Sequence, residues 1–128
     1  MANSTPYFEA YLPADLSAEA KATYFGMFFT WAVFTGLEGD VVTDTNPVTS
    51  RSATPGAYML QVRQGKLNPE DLNEDGNGFA EFCFGGTYQA VYKTTVGNLH
   101  HPQDTWEKFA RLARELDLYY LEWYAGRE

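Results

Sequence analysis

Apolar residues run almost unbroken from Tyr24 to Phe34, and no polar face survives when the segment is wound as a helix. A helix that is apolar all round is buried all round, so this segment predicts a central core helix. Ser17 offers an N-cap, Glu19 sits in the first turn against the positive end of the dipole, and Gly36 offers the stop. The expected span is Ala18 to about Gly36, which is too short an apolar run to cross a bilayer.

The end of the chain has a different rhythm. Trp106, Phe109, Ala110, Ala113, Leu116 or Asp117, Tyr120, Leu121 and Tyr124 recur at three and four residues, while Glu107, Lys108, Arg111, Arg114 and Glu115 fill the other side. That is an amphipathic helix, opened at Pro102 and Asp104, with Asp104 and Glu107 at capping-box spacing. Between the two lie shorter signals. Thr54-Pro55 starts a helix that runs to about Gln64, buries Tyr58, Met59 or Leu60, and Val62, and stops at Gly65. Asn68-Pro69-Glu70-Asp71 repeats the start signal for a short third element.

Residues 37–53 lack periodicity and read as a long loop, and the first dozen residues, through Tyr7, Phe8, Tyr11 and Leu12, read as an extended lead-in ended by Pro13. Residues 79–95 are ambiguous. Phe79, Phe82, Cys83 and Ala90 share a helical face if the helix kinks at Gly85-Gly86, yet the same glycines between aromatic runs also suit a hairpin. The pattern as a whole predicts a mainly α domain over residues 1–128. About four to five helices surround the buried aromatic-rich helix, with an extended N-terminal lead-in.

Composition narrows the partners. Aromatics at 16% and hydrophobics at 45% exclude a disordered chain, and 9 basic against 17 acidic residues leave a net charge of −8. Such a field repels phosphate backbones and anionic lipid, so nucleic acid and membranes are not expected, whereas a basic protein is. Homo-oligomerisation through the aromatic excess is a further expectation. Cys83 is the single cysteine, flanked by Phe82 and Phe84, so it reads as a buried thiol in a reduced, cytoplasmic protein.

The densest chemistry lies in Asn68–Phe82. Asp71, Asn73, Asp75 and Gly76 match the first half of a calcium-binding EF-hand loop. The bidentate glutamate required at its last position is replaced by Phe82, with Glu81 one residue early, and about 100° of helical rotation separates the two. The run therefore reads as a capped acidic connection, with no metal or other cofactor expected. His100 and His101 are adjacent and on an extended segment would point apart, which suits neither a shared metal nor a dyad. No nucleophile elbow or phosphate loop occurs, so no catalytic residue is expected and binding is favoured over catalysis. Two candidate sites remain. Glu70, Asp71, Glu74 and Asp75, with Glu38 and Asp40, would form an acidic surface for a basic partner. Alternatively Tyr24, Trp31, His100, His101 and Trp106 would line a pocket of a small enzyme or ligand-binding domain.

Three blocks carry a resemblance. They are Gly26-Met27-Phe28-x-x-Trp31; Thr54-Pro55-Gly56 through Gly65-Lys66-Leu67-x-x-Glu70-Asp71-Leu72-Asn73-x-x-Gly76-Asn77-x-Phe79; and Asp104-Thr105-Trp106. In this order they resemble a family of small bacterial proteins built on a domain of unknown function. The resemblance implies helical structure, and hence a broken helix rather than a hairpin at Gly85-Gly86. Where that family often has a histidine in the pair before Gly-Met, this chain has Tyr24-Phe25, so a site built on that histidine does not carry over. By size and charge, small acidic bacterial domains of this kind look like immunity proteins, which neutralise a toxin by binding it; the resemblance implies no reaction.

Overall fold

The computed structural model describes residues 12–126. The expected lead-in, apart from Leu12 and Pro13, lies outside the described residues. Six α-helices follow in chain order: α1 Ala18–Thr35, α2 Asn46–Thr49, α3 Pro55–Arg63, α4 Glu74–Phe82, α5 Tyr88–Thr95 and α6 Trp106–Gly126. A 3₁₀ turn at Pro69–Asp71 precedes α4, and a π-helical turn at Cys83–Thr87 joins α4 to α5. Among the described residues the only β pairing is an isolated antiparallel bridge between Glu38 and Leu72. The mainly α expectation is met.

Helix α1 is the axle. Ser17 accepts from the Ala20 N–H at 3.1 Å, Gly36 closes the helix at φ 84°, and Ala22–Val33 are all buried. Each large apolar side chain taken out of water contributes about 1.5–3 kcal/mol, so the aromatic run supplies much of the driving force. Phe28 and Trp31 meet Phe79 of α4 at ring-centroid distances of 6.0 and 5.3 Å, and Tyr120 of α6 packs edge-on to Trp31 at 5.7 Å. The Trp31 Nε1–H donates to Asp117 Oδ1 at 2.8 Å, tying α1 to α6. Leu116 points into the core, while Asp117 stays at the surface holding that bond.

Helix α3 lies closest against α1 because Gly26 has no side chain: a Cβ there would collide with the Pro55 carbonyl oxygen and stand 2.9 Å from the Met59 Cβ. Burying a residue without a side chain in the apolar run thus lets two backbones touch.

Residues 79–95 resolve as helix. Widening one turn to an i→i+5 bond, from the Tyr88 N–H to the Cys83 carbonyl, re-phases the chain at the two glycines. That re-phasing turns Cys83, Phe84 and Tyr88 inward together, so Phe84 and Tyr88 reach Phe28 at 4.8 and 5.7 Å. The hairpin alternative loses because tertiary packing of these aromatics outweighs the local turn preference of Gly85-Gly86. The 37–53 stretch also carries more structure than its sequence suggests, with α2 inside it and Val42 and Val48 buried.

Candidate functional site

The acidic connection is braced from several directions. Residues 37–39 run antiparallel beside 71–73, with Gly39 N–H donating to the Asp71 carbonyl at 2.9 Å and Asn73 N–H to the Leu37 carbonyl at 2.8 Å. Gly39 makes that approach possible, since a Cβ would collide with the Glu70 carbonyl oxygen. Asn73 caps α4 by accepting from the Gly76 N–H at 2.8 Å. The Asn77 Nδ2 amino group then reaches back to three carbonyls, Pro69 at 3.0 Å and Leu72 and Asn73 at 3.1 Å. The Pro69 and Asn73 carbonyls also accept the Leu72 and Asn77 N–H groups, so the side chain adds a second bond to each and cross-links the turn to the first turn of α4.

The four acids expected to share a surface do not. Glu70 and Glu74 are exposed and Asp75 is half-buried, but Asp71 is only 2% exposed. This is a correction. Asp71 points inward, accepts from the Asn68 N–H at 2.9 Å, and stands 3.1 Å from the Arg63 Nε. Burial pushes its carboxyl up from the usual 3.8, more than the Asn68 N–H and the Arg63 guanidinium pull it down. The reason is geometric: in a capping turn, the third residue after Asn68 must face back toward the chain it caps. The same commitment ends the EF-hand analogy, because Asp71 is spent on Arg63 and Asn68 while Asn73 is spent on a helix end. Among the described residues no group of three or more His, Cys, Asp and Glu could hold a metal ion. Glu38 is half-buried beside the turn and Asp40 is exposed, so the outward-facing acidic set is Asp40, Glu70 and Glu74. Next to it Val41, Val62, Arg63, Asn68 and Glu70 line an open hollow of about 300 Å³.

The five residues of the alternative pocket are not brought together. Tyr24 is buried among Phe84, Tyr88 and Tyr92, its carbonyl accepting the Tyr88 hydroxyl at 2.6 Å. Trp31 sits in the core two turns further along α1, beyond Phe28, with its indole N–H occupied by Asp117. Trp106 is half-buried, stacked on Phe34 at 6.1 Å and covered by the Arg51 guanidinium at 4.5 Å. His100 and His101 are exposed; His100 Nε2 lies 3.0 Å from Asp15 Oδ1. Aromatic type alone could not separate core residues from pocket residues.

Asp104 carries a role the sequence pattern assigned elsewhere. Thr105, not Asp104, caps α6, its hydroxyl accepting from the Lys108 N–H at 3.1 Å. Asp104 instead reaches the start of α3, accepting from the Thr54 hydroxyl at 2.6 Å and the Gly56 N–H at 2.8 Å. Its carboxylate sits where the positive end of the α3 dipole favours an anion.

The family model described as a domain of unknown function (DUF7832) matches residues 1–105. The chain belongs to this family. No curated protein and no solved structure matches it. Helix α6 begins at Trp106, just beyond the residues that the DUF7832 model matches. The blocks that carry the resemblance, which fall in the matched part except for Trp106, meet one another. Gly26 of the first touches Pro55 of the second, and Asp104 of the third holds Thr54 and Gly56 of the second. In this chain these contacts between the blocks position helices. Among the described residues no helix is long and apolar enough to cross a membrane.

Proposed function

We propose that the chain is a non-enzymatic protein-binding domain of the bacterial cytoplasm, of the immunity type, which neutralises a toxin by covering a basic surface on it. The observation that supports this most is the brace under the acidic turn. Asn77 and the Leu37–Gly39 pairing hold the backbone that carries Glu70 and Glu74, with Asp40 beside it, in one conformation. A surface fixed before contact loses little conformational entropy on binding, which is what a tight inhibitor needs. The charge of −8 adds long-range attraction for a cationic partner and speeds the encounter.

The test is association kinetics with a toxin encoded beside this gene, by stopped flow from low to high salt. Glu70→Lys with Glu74→Lys is expected to slow association about tenfold at low salt and to flatten its salt dependence. An unchanged association rate at low salt overturns the acidic-turn reading.

A further inference from the structure

We draw no further inference here: the strongest candidate, the hollow of about 300 Å³ lined by Val41, Val62, Arg63, Asn68 and Glu70, belongs to the acidic turn already described, and with Arg63 and Glu70 of opposite charge on its wall nothing in the structure shows what would occupy it.

Discussion

Asp104 accepts the hydroxyl proton of Thr54 across 50 residues of sequence at 2.6 Å, and the same carboxylate holds the Gly56 N–H at 2.8 Å. The start of α3 is thus fixed by the segment that leads into α6, and no short-range pattern encodes the pairing. A hydrogen bond to a charged group contributes about 1.5–3 kcal/mol, so Asp104→Ala should lower the unfolding free energy by about 2–3 kcal/mol. In a double-mutant cycle in urea, Thr54→Ala should cost much less when Asp104 is already alanine. Strictly additive losses would show that the two side chains are not coupled in solution.

The glycines divide into two classes with opposite signs. At Gly26 an alanine methyl would collide with the Pro55 carbonyl, and overpacking of this kind costs about 1–3 kcal/mol. At Gly85 and Gly86 a Cβ would meet nothing within 4 Å and the backbone is helical. There alanine should stabilise by about 0.5–1 kcal/mol, because glycine is the more costly residue to order in a helix. Thermal melts of Gly26→Ala and Gly85→Ala should therefore move in opposite directions. A lower melting temperature for Gly85→Ala would mean that the π turn needs its glycines.

Asp71 makes stability depend on pH in a direction set by burial. Its folded-state carboxyl lies above the usual 3.8, so between that value and the raised one the folded protein holds more protons than the unfolded chain. Stability from this group is then fully present below about pH 3.8 and is lost as pH rises through the raised value. The advantage of the wild type over Asp71→Asn, from urea titrations between pH 3 and 7, should shrink with rising pH. A gap that widens instead would show that Arg63 and the Asn68 N–H dominate over desolvation.

Cys83 is buried at the start of the π turn, and burial alone pushes its thiol up to about 12. Its reaction with an aromatic disulfide reagent should follow opening of the helix pair α4–α5, not the thiolate fraction of a free cysteine. Gly85→Ala, if it stabilises, should slow labelling in proportion. Labelling as fast as an unfolded peptide would place the thiol at the surface.

Much of the fold was legible in order. The fully apolar Tyr24–Phe34 run gave α1, Thr54-Pro55 gave the start of α3, and the three-and-four spacing after Trp106 gave α6, because each is a local signal that packing reinforces. Residues 79–95 were not decidable locally, since the same two glycines serve a tight turn and a widened helical turn equally well. The resemblance of the flanking blocks implied helix, and its physical reason is that Phe84 and Tyr88 both reach Phe28. At the candidate site, five acids in fourteen residues ending at Glu81 advertised a negative segment, but their directions were hidden. Asp71 faces Arg63 because a capping turn points its third residue inward, and that depends on where α3 ends.

By itself the sequence determined the helical class, the buried central helix, the amphipathic last helix and the sign of the charge. These follow from side-chain type and period, which are properties of single segments. The tertiary structure decided which acids face water, that Asp104 serves α3 and not its own helix, and that Leu118 and Leu121 are left uncovered. Those are relations between segments far apart in the chain, and they exist only once the core has closed around α1.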